Sequence, residues 1–323
     1  MTQLTTEPGA PAAMSPAATP PPNAPAGRFL DPAAVARLRS VPLAARLIVE
    51  GLLAGQHRSP RKGLAIEFAE HRPYAPGDDP RHLDWKVLAR RDRLYLKQFE
   101  EQTNLRGLIL LDTSSSMGYR HRGAMTKLDY ARFCAAALAY LLHRQHDAFG
   151  LTTLADRALT QLPPRQGSAH LHAFYTQLEA ATPAGTTDLP ATLHEAATRL
   201  SRRAMIIVIS DCLGGRPDAS DLLEAVGHVR HRKHELIVLQ VVDPAEVTFP
   251  FDDAGEIVDS ETGRVVIADA RAVRDHYRAA FARFQDTLRR GCSTHGVTFS
   301  AGTTDQPFDQ FLLDTLSRRA AYR

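Results

Sequence analysis

Leu108-Ile109-Leu110-Leu111-Asp112-Thr113-Ser114-Ser115-Ser116-Met117-Gly118 is the stretch whose reading decides the fold. An apolar run without polar alternation stops at an aspartate, and small hydroxyl residues follow. The run is too short to span a membrane, so it predicts a strand buried on both faces of a parallel sheet. Open α/β sheets place ligands beyond the carboxyl ends of their strands, where Asp112, Ser114 and Ser116 fall. One carboxylate and two neutral hydroxyls from one turn are hard oxygen donors that suit Mg²⁺, or Mn²⁺. The same residue types also favour helix caps and turns. Taken alone, the turn fits a cap as well as a metal site.

The neighbouring segments shift that balance. Met205-Ile206-Ile207-Val208-Ile209-Ser210-Asp211 repeats the theme, an apolar strand ending in Ser-Asp, and Leu236 to Val242 is another buried strand. Thr126-Lys127-Leu128-Asp129 reads as a capping box in its Asp form. Leu128, Ala131, Ala135, Leu138 and Leu142 then continue as one helical stripe. Ala148 to Leu154 and Ala158 to Leu162 predict a hairpin. Helices are expected around Leu171 to Ala181, over Leu189 to Leu200 and from Asp221 to about Lys233. A long helix from about Ala270 to Arg290, a strand at Val297 to Ser300 and an amphipathic helix close the chain. This rhythm predicts an α/β fold, a mostly parallel sheet with helices on both faces.

Between Asp243 and about Asp269 the rhythm breaks. Val247-Thr248-Phe249, Gly255 to Asp259 and Arg264 to Ile267 suggest a small β insertion turning at Glu261-Thr262-Gly263. Upstream, residues 1–27 are dominated by Pro, Ala and Thr and are expected to be disordered. Asp31-Pro32 opens a helix with Asp as N-cap and Pro at its first position, and a broken apolar face carries it to Gly55. The expected organisation is therefore a tail (1–27), an N-terminal segment (28–104) and an α/β domain (105–323).

The 323 residues are 44% hydrophobic and 23% charged with a formal net charge of +3, ordinary for a globular protein. Three cysteines, Cys134, Cys212 and Cys292, form no Cys-x-x-Cys pair and read as reduced thiols. With no membrane-length apolar run and no hydrophobic signal core, the expected location is the cytoplasm. A phosphate-binding Gly-x-x-x-x-Gly-Lys-Ser/Thr loop and a Gly-x-Ser-x-Gly nucleophile elbow are both missing, so the chain is not read as an enzyme. A metal-dependent hydrolase using the same serines and a basic-surface nucleic-acid binder are the competing classes. His228, His231 and His234 lie among Arg230, Arg232 and Lys233, and read as a basic helix end rather than zinc ligands.

Asp112, Ser114 and Ser116, a threonine of the Gly185-Thr186-Thr187 loop and Asp211 together resemble the von Willebrand factor A domain and its metal-ion-dependent adhesion site. The resemblance implies Thr186, directly after Gly185, as the threonine ligand, with Thr187 as the alternative. Arg72-Pro73-Tyr74-Ala75-Pro76-Gly77-Asp78-Asp79-Pro80-Arg81-His82-Leu83-Asp84-Trp85, Ala89-Arg90 and Phe99-Glu100-Glu101 are similar to the signature of the domain-of-unknown-function-58 (DUF58) family. That similarity implies a non-catalytic module whose Mg²⁺ binds an acidic residue of a protein partner. Many members of the family carry N-terminal membrane helices, and the proline-rich tail in their place removes a membrane anchor from the expectation. The implied partner is a MoxR-type AAA+ ATPase or its client. Within the signature, Asp78, Asp79, Arg81, Asp84 and Trp85 are candidates for a partner-binding surface.

Overall fold

Fully apolar strands need both faces covered, and the chain meets that need with helices on either side of one sheet. The computed structural model describes residues 31–38, 40–56, 72–73, 95–96, 105–155 and 158–321. Helices α1 (Pro32–Ala36) and α2 (Val41–Gln56) come first, then two short strands, β1 (Arg72–Pro73) and β2 (Tyr95–Leu96), paired antiparallel. The α/β body follows as β3 (Arg106–Asp112), α3 (Lys127–Arg144), β4 (Ala148–Leu154), β5 (Ala158–Arg165), α4 (Ser168–Ala180), α5 (Leu189–Arg199) and β6 (Met205–Ser210). It continues with α6 (Ser220–His231), β7 (Glu235–Val242), α7 (Pro244–Thr248), β8 (Ala254–Val258), β9 (Val265–Asp269), α8 (Ala270–Thr294), β10 (Thr298–Thr303) and α9 (Phe308–Ala321).

Six strands form the main sheet in the order β10-β7-β6-β3-β4-β5. Every neighbouring pair is parallel except β4 with β5, the hairpin at one edge. The mostly parallel, A-domain-like α/β sheet expected from the sequence is what the chain forms. Side-chain alternation sorts the core into two layers. Ile109 and Leu111 of β3, Ile207 and Ile209 of β6, and Leu239 and Val241 of β7 face one layer with α2, α3, α4 and α9. Leu108, Leu110, Ile206, Val208, Leu236 and Val238 face the other, under α5, α6 and α8. Helix α2 belongs to the first layer, since Ala44, Ala45, Ile48, Val49 and Leu52 are buried there.

Two local expectations need correction. The single broken helix from Asp31 is two helices, because Pro42 lacks an N–H and fits only the first turn of a new one. Val247-Thr248-Phe249 is not β structure: Asp243 caps α7, Pro244 occupies its first turn, and Glu246 completes a capping box. The ribbon expected around Glu261-Thr262-Gly263 is present as the antiparallel pair β8–β9. The expected tail (1–27) lies outside the described residues. Among the described residues no helix is long and apolar enough to cross a membrane.

Candidate metal centre

Strand β3 runs to β4 through α3 on one side and lies against β6 on the other, so the chain reverses its direction of travel across the sheet at β3. Such a switch point opens a crevice at the strands' carboxyl ends. Asp112 closes β3 there, and Ser210 and Asp211 close β6 beside it. The turn after β3 is a single 3₁₀ turn, Ser115–Gly118, with Ser114 as its N-cap residue. It is pinned to the loop before α5, because Ser115 N–H donates to the Gly185 carbonyl at 2.9 Å and Ala184 N–H to that of Thr113 at 2.8 Å. Gly185 has φ +67°, a left-handed conformation that glycine adopts without a Cβ clash.

Asp112 is 3% exposed and fully engaged. One carboxylate oxygen accepts from the Ser114 N–H at 2.9 Å and the Thr187 hydroxyl at 2.8 Å, the other from the Ser210 hydroxyl at 2.6 Å. Asp211 is 2% exposed and accepts from the Ser116 hydroxyl at 2.8 Å, the Leu213 N–H at 3.0 Å and the Lys127 ammonium at 2.7 Å. Ser114 and Ser116 hydroxyl oxygens are 3.1 Å apart. The structure thus gathers Asp112, Ser114, Ser116 and Asp211 in one place, as the sequence pattern required. Of the two threonines it brings Thr187 to Asp112, while Thr186 is exposed. Asp78, Asp79, Arg81, Asp84 and Trp85 lie outside the described residues.

Three participants had gone unassigned. Lys127 is fully buried and bridges Asp211 to Glu246, whose carboxylate it reaches at 2.6 Å. Its signal was a lysine at the first position of α3, where the helix dipole favours acids. Ser210 was visible as the penultimate residue of an apolar strand. Glu261, half-buried at the ribbon tip, had no local signal.

The electrostatics favour a cation. Burial lifts the Asp112 carboxyl above the usual carboxylate range and the charge of Asp211 adds to it, against the hydrogen bonds from Ser210, Ser114 and Thr187. Glu261 is likewise raised, by burial first, while Ser116 and Ser114 oppose the shift. Burial works against the Lys127 ammonium, but Asp211 and Glu246 outweigh it and hold the charge in place. Among the described residues, the ammonium that reaches this cluster is that of Lys127, shared between Asp211 and Glu246. Hydroxyl oxygens in front of two buried carboxylates are a donor set that a hard divalent cation fits.

Residues 70–287 match the family described as "Protein of unknown function DUF58". The uncharacterized protein Rv1480 of Mycobacterium tuberculosis is 32% identical over 291 residues, covering 86% of this chain and 88% of its own. Among solved structures, an aerotolerance-related membrane protein from Bacteroides fragilis aligns at 18% identity and TM-score 0.46, over 68% of this chain and all of its own. The VWA domain of SpRpn10 aligns at 11% identity and TM-score 0.39, over 64% of this chain and 93% of its own. The family match and the relative spanning most of both chains place this chain in the DUF58 family.

Proposed function

We propose that this chain is a non-catalytic binding module in which Ser114, Ser116 and Thr187, backed by Asp112 and Asp211, hold Mg²⁺ or Mn²⁺ for the capture of an acidic residue on a protein partner. The convergence of these hydroxyls, from two separate loops, in front of two buried carboxylates carries the reading. Hydroxyl donors leave a bound cation electron-poor, so it would supply a Lewis-acidic position for a carboxylate from another protein. Asp112 and Asp211 orient the hydroxyls, and Lys127 holds Asp211 in place. The resemblance to DUF58 proteins suggests a MoxR-type AAA+ ATPase, or a client that it remodels, as the partner. The buried free thiols of Cys134, Cys212 and Cys292 suit a cytoplasmic setting.

A pull-down from cell extract with Mg²⁺ or EDTA, using wild type and Asp112→Ala, tests the reading. A partner retained only by wild type with Mg²⁺ is the expected result. Equal recovery in all four conditions would sink the metal bridge.

A further inference from the structure

Helices α5 and α6 pack side by side over the second core layer. Leu193, Ala196 and Ala197 of the first and Leu222, Ala225, Val226 and Val229 of the second are buried there. Where their seam meets solvent, His194 and His228 are both half-buried, one from each helix. Their Nδ1 nitrogens face each other at 2.7 Å, with ring centroids 5.0 Å apart. We propose that this pair is a second cation site, which takes a divalent transition metal of the Zn²⁺ class through the two imidazoles. It shares no residue with the hydroxyl crevice and stands independently of the cation reading there. His231 and His234, close to His228 in sequence, have no part in it. His231 is exposed, and His234 is buried in bonds to Ala204 and Ala197.

Two imidazole nitrogens this close share one proton: one ring donates its Nδ1–H, and the other presents a bare lone pair. A single change turns both lone pairs toward a metal. The donor ring moves its proton from Nδ1 to Nε2, and the pair neither gains nor loses a proton. Zn–N bonds of about 2.0–2.1 Å at a tetrahedral angle set two ligand nitrogens about 3.3 Å apart, so the rings need to open by about 0.6 Å. Half-buried rings can swing that far while the helices stay in place. The helices are tied together next to the pair. The Ala197 carbonyl, one turn beyond His194, accepts from Arg232 Nε at 3.4 Å and His234 Nε2 at 3.3 Å, just beyond His228. Both ligands thus stand on rigid, mutually fixed elements, as a preorganised site requires. Donor chemistry separates the two sites: neutral imidazole suits Zn²⁺, Cu²⁺ or Ni²⁺, whereas the hydroxyl crevice suits hard Mg²⁺. Among the described residues no third histidine, cysteine or carboxylate joins the pair, so water completes the coordination of a bound ion. Such an ion would staple α5 to α6.

The test adds Zn²⁺ to the full chain in excess Mg²⁺, reading affinity by titration calorimetry and the histidine nitrogens by long-range ¹H–¹⁵N spectra. In wild type the Nδ1 signals of His194 and His228 should shift together as Zn²⁺ binds. His194→Ala and His228→Ala should each weaken binding by more than about tenfold, the least that losing even a supporting group costs a metal site. Ser116→Ala, in the crevice, and His172→Ala, at an exposed position of α4, should leave it unchanged. Equal Zn²⁺ affinity in wild type and His194→Ala would overturn the proposal, as would shifts confined to other histidines or no Zn²⁺ binding by wild type. Zn²⁺ lost in Ser116→Ala but kept in His228→Ala would place the ion in the crevice and overturn it as well. Where a variant fails to fold, the wild-type nitrogen shifts alone decide between these outcomes.

Discussion

The β3–β6 crevice and the β8–β9 ribbon are built on opposite principles. In the crevice, Asp112, Ser114, Lys127, Ser210 and Asp211 are all buried, and each carboxylate has several fixed donors. Its position is set by the sheet. The ribbon keeps its apolar residues in solvent and approaches the site through one turn. The crevice is thus part of the core, and the ribbon lies outside it. Substitutions in the two should behave differently.

The sharpest way to break the contrast is Lys127→Met. It strands Asp211 and Glu246 without their buried counter-charge and should destabilise the fold by about 3–5 kcal/mol, read by urea denaturation. A loss under 1 kcal/mol would mean the crevice is not the locked half. Next comes the cation. Mg²⁺ at about one hundred times its Kd should stabilise wild type by about 2.7 kcal/mol, visible as a raised thermal midpoint that EDTA reverses. Asp112→Ala should show no such rise. Third, Thr187→Ala should weaken Mn²⁺ binding about tenfold while Thr186→Ala leaves it unchanged, which separates the adjacent hydroxyls by titration calorimetry. The reverse pattern would restore Thr186 as the ligand.

A smaller effect belongs to the core far from the site. His234 is 2% exposed, accepts from the Ala204 N–H through Nδ1 at 3.2 Å and donates to the Ala197 carbonyl through Nε2 at 3.3 Å. Burial lowers its pKa below the usual histidine value, with Arg232 adding to that and the Ala197 bond opposing it. The unfolded chain then binds more protons once the pH drops below about 6.5, so its contribution is complete above that pH and is lost on acidification. Thermal midpoints across that range should fall less steeply in His234→Gln. Smallest of all, Ile267→Thr on the ribbon should change stability by less than about 0.5 kcal/mol, in contrast to any apolar truncation in β3.

What the sequence revealed follows the same division. Strands β3, β6 and β7 were legible because unbroken apolar runs have few other uses, and the acids at their ends marked the crevice. Thr126 and Asp129 form the capping box that their spacing predicted. Helix α7 was missed because Val247-Thr248-Phe249 looks like a strand until Asp243-Pro244 is recognised as a helix start. Residue spacing did not show that Thr187 reaches Asp112, a contact made across 75 residues of sequence. Lys127 and Glu261 were out of reach for a different reason. Their positions depend on long-range packing, for Lys127 a contact 84 residues away to Asp211, and no local pattern encodes such pairings.

The antiparallel strand β5 carries Pro163 and Pro164 at the edge of the sheet. Neither proline has an N–H to offer, and the register with β4 slips beside them. A strand from another molecule therefore finds no regular ladder to extend on that side. Self-association by sheet growth is discouraged there, which directs recognition toward side chains at the strand ends.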